Sequence, residues 1–212
     1  MPRHPDPALE TRILGAASRL WARGGEKALT MRAVAKAAGT TTPTVYERYR
    51  DRDDILRALR LQTRRDLYAS LIRTRTMRDT IERYLEFALQ HAHAYEVLFD
   101  AVGKPPSLHE PWPSFNLMRE RVLEQTGGTT RQHNRLILST WCLMHGTAML
   151  IIRGGFEGAL RAQAVHSCID AVENLVSLAR GKSLAQSGPK WPSTLILGEG
   201  KRSKVGNGRA RR

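Results

Sequence analysis

The chain has 212 residues, a formal charge of +14 and a pI near 10.7. It is long enough for one large or two small domains with a real core, and its charge favours polyanionic partners, nucleic acid before anionic membrane. Two distant cysteines, Cys142 and Cys168, make no C-x-x-C pair, which argues against a disulfide framework and for reduced core thiols in a cytoplasmic protein.

The opening MPRHPDP lacks an apolar h-region, so no secretory signal is expected; Met1 to Pro5 reads as a short basic arm. Asp6 followed by Pro7 is a cap-then-proline helix start, with Glu10 placing negative charge where the helix dipole favours it. Leu9, Ile13, Ala16, Ala17 and Leu20 form one apolar stripe at helical spacing. The helix should stop at Gly24-Gly25, and Trp21 reads as a packing residue rather than a DNA contact.

From Thr30 the chain reads TMRAVAKAAGTTTPTVYERYRDRDDIL. Thr30 is a suitable N-cap, with Met31, Val34, Ala35 and Ala38 on one apolar face. Gly39 can end that short helix because a residue without Cβ enters the left-handed region at no steric cost. Thr41 then caps a second short helix with Pro43 in its first turn, where a missing N–H is harmless. Asp51 caps a third helix, with Asp53 and Asp54 at its positive end. Two short helices joined by a tight glycine turn make a helix-turn-helix, whose second helix enters the major groove of DNA; a helical corner with no DNA role is the alternative on pattern alone.

The exposed side of the second helix carries suitable chemistry. Hydroxyls of Thr41, Thr42 and Thr44 can bond phosphate oxygens or base edges, and threonine and Pro43 carbons can meet a thymine methyl. Arg48 is the candidate for direct readout, since arginine can bond guanine O6 and N7 together; a phosphate contact is equally open to it. Glu47 beside it suits a cytosine N4 or the orientation of Arg48. Arg32 and Tyr49 complete the expected DNA-facing set, although the spacing turns Tyr49 and Val45 toward the preceding helix.

The run Thr30-Met31-Arg32-x-Val34-Ala35-x-x-Ala38-Gly39, then Thr42-Pro43-Thr44-Val45-Tyr46 and Tyr49-Arg50-Asp51-Arg52-Asp53, resembles the DNA-binding domain of the TetR family of bacterial transcriptional repressors. The resemblance covers roughly residues 8 to 57. It implies that Tyr46 and Arg52 hold the DNA backbone and position the protein. It departs at Ala33, where the family often has the glutamate of a capping box.

The third capped helix should run from Ile55 through Leu59, Leu67 and Leu71 to about Ile72, with a break at 73–76. Asp79 to Phe99 then reads as one helix with Ile81, Tyr84, Leu85, Ala88, Ala92, Tyr95 and Phe99 along its apolar face. A proline-rich loop spans Gly103 to Pro113, and Phe115 to Thr126 is a short helix ending at Gly127-Gly128. Thr130 opens a long apolar helix, roughly Arg131 to Arg153, stopped by Gly154-Gly155; Arg161 to Arg180 is the last. Residues 136–152 are the longest apolar run, but Ser139, Thr140, His145 and Thr147 interrupt it, so no membrane span is expected.

Trp141-x-x-x-His145-Gly146 resembles a signature of one TetR subgroup's C-terminal domain. Trp141 and His145 share a helix face. They line an effector pocket or they pack in the bundle core. The expected pocket set is Tyr95, Trp112, Phe115, Trp141, Met144 and His145, for an apolar or aromatic small molecule. Residues 181–212, rich in Gly, Ser and Pro and holding +7 of the charge, read as a basic tail that cannot bury enough apolar surface to fold alone and can add non-specific DNA affinity.

The expected fold is all-α. A helix-turn-helix DNA-binding domain spans 6–57, a helical effector-binding and dimerisation bundle spans 58–180, and the tail spans 181–212. The resemblance implies a cytoplasmic, ligand-responsive repressor that binds a near-palindromic double-stranded operator as a homodimer through its last two long helices. No cofactor is expected. Seven histidines raise an enzyme, but no H-E-x-x-H, C-x-x-C, P-loop or G-x-S-x-G occurs, which leaves only a metal site from His91, His109 and His145. A non-specific nucleoid-type protein would explain the charge but not the apolar body.

Overall fold

The computed structural model describes residues 7–99 and 112–181. The basic arm, the Asp6 cap, His109, most of the proline-rich loop, and the tail from 182 lie outside the described residues. Those described form helices and no strand: α1 (Pro7–Ala28), α2 (Met31–Ala37), α3 (Thr42–Tyr46), α4 (Arg52–Leu71), α5 (Met77–Gln90), α6 (Ala92–Phe99), α7 (Pro113–Thr126), α8 (Thr130–Ile152) and α9 (Gly158–Gly181).

Local side-chain chemistry sets most of the boundaries. Thr30 Oγ1 accepts from the Ala33 N–H at 3.1 Å, Thr41 Oγ1 from Thr44 at 3.3 Å and Asp51 Oδ1 from Asp54 at 2.7 Å. Each satisfies an N–H that the first turn leaves without an intrahelical partner. Gly39 turns the chain between α2 and α3 at φ +66. Within α1 the regular helix ends at Gly24-Gly25, as expected, because Gly25 takes φ +56.

Two expectations in the body need correction. The long apolar helix is capped by Thr129, not Thr130: Thr129 Oγ1 accepts from the Gln132 N–H while Gln132 Oε1 accepts from the Thr129 N–H at 2.8 Å, a capping box. The single helix expected over Asp79–Phe99 is two, α5 and α6. They meet at His91, whose φ −116 and ψ 39 are not helical. Neither Gly nor Pro occurs between 77 and 99, so the cause is tertiary. The break lays α6 against α4 and α1, where Arg60 Nε donates to the Val97 carbonyl at 3.1 Å.

Apolar burial forms two cores. The first gathers Leu9, Ile13, Ala17 and Trp21 of α1, Val34, Val45, Tyr49, and Ile55, Leu56 and Leu59 of α4, together with Val97 of α6. The second gathers Leu67 and Leu71 of α4 with residues of α5 through α9, including Tyr84, Tyr95, Met144 and Val172. α4 therefore belongs to both, its first half to one core and its second half to the other. Each fully buried Val or Leu contributes roughly 1.5–3 kcal/mol, which is what holds five-residue α3, too short to persist alone.

α8 is long and apolar enough by composition to cross a membrane. Its inner face (Leu136, Ile137, Thr140, Met144, Ala148) is buried in the second core. Its outer face is not: Leu138 and Leu150 are exposed, as are Leu160, Leu175 and Leu178 of α9.

Candidate functional site

At the tip of the first core, α3 presents one side outward. Val45 is 0% exposed and seats the helix; Tyr46 is 54% exposed. Thr42, Thr44 and Arg48 are half-buried, and Arg32, Thr41, Pro43 and Glu47 are exposed. The hydroxyls of Thr41 and Thr44 lie 2.8 Å apart, so the cap and the outward face share one polar edge. These residues set donors, hydroxyls and methyl groups at the surface of α2 and α3.

Tyr49 does not belong on that surface. It is 7% exposed, and its hydroxyl is buried without a hydrogen-bond partner. Burial, followed by the Glu10 carboxylate beside it, pushes that hydroxyl up to about 12. A side chain enclosed in the core has no edge left for DNA, so Tyr49 serves by anchoring the end of α3. Arg52 starts α4, with its Nη2 2.8 Å from Glu26 and 3.3 Å from Asp53. Two surface carboxylates hold the guanidinium at the mouth of the motif. Such exposed pairs are worth about 0–1 kcal/mol, so exchanging them for a phosphate costs little.

In the body, the six residues expected to form a pocket do come together, and they gain neighbours. The Trp141 ring meets Tyr84 (5.6 Å), Phe115 (5.3 Å) and Trp112 (6.2 Å) edge to face. Phe99 stacks on Trp112 at 5.5 Å and lies 4.2 Å from the His145 ring. Arg64 of α4 places its guanidinium 4.4 Å from the Trp112 centroid, a cation–π contact. Met144 is buried in the same core.

A polar thread crosses these rings. The Tyr84 and Tyr95 hydroxyls are 2.7 Å apart, and the Tyr95 hydroxyl is 2.8 Å from His145 Nδ1. Burial raises both phenols well above their ordinary value and lowers His145, so all three are neutral near pH 7.

The sequence reading missed Tyr84, Phe99 and Arg64 as members of this site. Tyr84 and Tyr95 stand eleven residues apart, three helical turns, which placed both on one face; nothing local marked Arg64. The cluster is packed ring on ring, and a cleft of ≈ 370 Å³ opens elsewhere, between α4 and the α5–α6 pair, lined by Thr63, Asp66, Phe87 and His91 among others.

His91 packs on Phe87 at 4.7 Å. Among the described residues no three His, Cys, Asp or Glu side chains gather in a metal-binding group.

Residues 13–59 match the family described as bacterial regulatory proteins of the tetR family, and residues 77–173 match the tetracyclin repressor-like C-terminal domain. No curated protein matches the chain. Among solved structures, a protein of unknown function from Rhodococcus sp. RHA1 is 23% identical with a TM-score of 0.62, covering 86% of this chain and 99% of that one. A TetR-like transcriptional regulator from the same organism is 18% identical (TM-score 0.60; 85% and 100% covered). A tetR-family transcriptional regulator from Streptomyces coelicolor is also 18% identical (TM-score 0.60; 91% and 96% covered). At these identities the likeness shows a common fold.

Proposed function

Since the chain belongs to the TetR family of bacterial regulatory proteins and is a DNA-binding transcriptional regulator, we propose that it acts as a ligand-responsive repressor in the cytoplasm. In this reading residues 6–57 bind a near-palindromic operator, and residues 58–180 dimerise and hold an apolar or aromatic effector. The basic tail, 181–212, adds affinity that does not depend on sequence.

The observation that carries the regulatory part is the double allegiance of α6. Tyr95 and Phe99, four residues apart, join the ring cluster. Val97, between them, sits in the first core at 0% exposure, its carbonyl bonded to Arg60. A ligand that separates the rings must move α6, and α6 cannot move without disturbing α4 and the seat of the DNA-binding motif. Such a ligand lowers operator affinity only by its preference for the displaced state.

The DNA part divides by role. Arg52→Ala should weaken binding to every duplex and reduce its salt dependence, because a phosphate contact is lost. Arg48→Ala should change base preference at one operator position, by about 1–3 kcal/mol of discrimination. Competition binding against single-base operator variants separates the two; unaltered preference for Arg48→Ala would make that residue a phosphate contact.

Dimerisation is assigned to the outer faces of α8 and α9. Leu138, Cys142, Gly146 and Leu150 follow one another along α8 at helical spacing, on the side that carries its exposed leucines. A Cβ on Gly146 would meet nothing within 4 Å in the single chain. Glycine inside a helix costs roughly 1 kcal/mol relative to alanine, and close approach of a second copy accounts for it. Gly146→Leu should therefore shift sedimentation from dimer to monomer at micromolar concentration; a dimer of unchanged affinity would move the interface elsewhere.

Selection from a random double-stranded DNA library at physiological salt tests the function as a whole. A recovered near-palindrome is the expected result. Retention of DNA without consensus would replace this reading with a nucleoid-type one.

A further inference from the structure

The hydrogen-bond thread through the ring cluster fixes how His145 meets a ligand. Tyr84 is wholly buried, and among the described residues its hydroxyl has one hydrogen-bond partner, Tyr95, at 2.7 Å. Two directions of donation are open. If Tyr84 donates to Tyr95, and Tyr95 donates to Nδ1 of His145, both buried hydroxyl protons are satisfied and the imidazole carries its own proton on Nε2. If Nδ1–H donates to Tyr95, then Tyr95 donates to Tyr84, and the Tyr84 proton faces the core with no acceptor. A buried donor left unmade costs about 1–3 kcal/mol, while the two tautomers of a free imidazole differ by much less. The first direction wins.

Burial keeps the ring neutral, so Nδ1 is free to accept and Nε2–H to donate. Nε2 has no partner among the described residues, whereas Nδ1 is engaged at 2.8 Å. The His145 ring lies 4.2 Å from the Phe99 ring, centroid to centroid, and Phe99 in turn stacks on Trp112.

We propose that the effector is an aromatic compound bearing a hydrogen-bond-accepting oxygen, of the aryl ketone or ester class, which stacks among Phe99, Trp112 and Trp141 and accepts from His145 Nε2–H. This rests on the assignment of the cluster as the effector site. Tyr95 and Tyr84 are positioning residues: they touch no ligand and act by holding the proton of His145 on the outward nitrogen. An aryl amine of the same shape would bring a second donor to that nitrogen and is rejected.

The test has two parts, both on the full-length protein. Nitrogen-15 spectra of the histidine side chains, with the His145 signals assigned by their loss in His145→Gln, should show a protonated Nε2 and a bare Nδ1. Protonation at Nδ1 would overturn the tautomer and with it the ligand class. Calorimetric titration with 2-acetylnaphthalene, 2-ethylnaphthalene and 2-(methylamino)naphthalene should then rank the ketone tightest. The expected advantage over the hydrocarbon is about three- to tenfold, as one net hydrogen bond gives.

His145→Phe keeps a ring in place and should erase that advantage while retaining the hydrocarbon. Tyr95→Phe, which frees the tautomer, should reduce it. Equal binding of ketone and hydrocarbon, or preference for the amine, would refute the proposal while leaving the cluster a ligand site. Failure of all three probes to bind, with the expected tautomer seen, would remove the cluster as effector site and the ligand class with it.

Discussion

Val45→Asp should abolish operator binding while the body stays helical and dimeric. Val45 is 0% exposed and seats α3 against α1 and α2, and α3 has only five residues, so no turn-to-turn cooperativity keeps it in place. An unpaired carboxylate in that position costs about 3–5 kcal/mol. At roughly 0.05–0.15 kcal/mol per residue, the stability a unit of about fifty residues can hold is of the same order or less. The motif then loses its outward face, and Thr42, Thr44 and Arg48 lose their common frame.

Fluorescence anisotropy with the selected operator should show at least a hundredfold loss. Circular dichroism should retain most helix, because Leu67, Leu71 and the residues of α5 through α9 lie in the other core, and sedimentation should still give a dimer. Operator binding within tenfold of the wild type would mean that α3 is not the element that meets DNA.

The second large effect concerns coupling. Val97→Ala should leave the operator affinity of the free protein within about threefold, yet an effector identified by operator release should lose most of its power to lower it. Val97 is the one α6 residue in the first core, and the Arg60 bond to its carbonyl fixes α6 against α4 at the same point. Shortening the side chain loosens α6 from the head while Tyr95 and Phe99 keep their ring contacts. Couplings between sites run to about 1–3 kcal/mol, or 5- to 150-fold. The variant should reduce this to threefold or less, measured as operator affinity without ligand and at saturation. Reciprocity requires the same reduction in the effect of operator on ligand affinity. A coupling equal to the wild type would show that the signal passes to the head by another route.

Much of this molecule was legible because the forces that set it act over three or four residues. A threonine or aspartate hydroxyl or carboxylate bonds the N–H three positions on, so Thr30, Thr41 and Asp51 announce helix starts wherever they stand. Gly39 announces a turn because its backbone takes φ +66, which a residue with a Cβ adopts only at a steric cost. Even Thr129 was one residue from the expected start, and its partner Gln132 was the local signal that decided it. Apolar spacing likewise identified the faces that carry Ile81, Tyr84, Leu85 and Tyr95.

Spacing says that a residue is buried; it does not say against what. Tyr49 was placed among the DNA contacts, and the packing of α1 over it removed it. No residue between Met77 and Phe99 asked for a break at His91, and the docking of α6 on α4 imposed one. Tyr95 and His145 are fifty residues apart and Arg60 and Val97 thirty-seven. Their hydrogen bonds exist because helices distant in the chain pack together, α6 on α8 for the first and α6 on α4 for the second.

The sequence by itself determined the helices other than the α5–α6 division, most of their caps and the chemistry exposed on α3, since each depends on neighbours along the chain. The tertiary structure alone decided which rings share the cluster, which nitrogen of His145 meets Tyr95, and that α6 joins both cores. Those outcomes depend on which buried surfaces pack together, and packing brings into contact residues whose order in the chain carries no record of it.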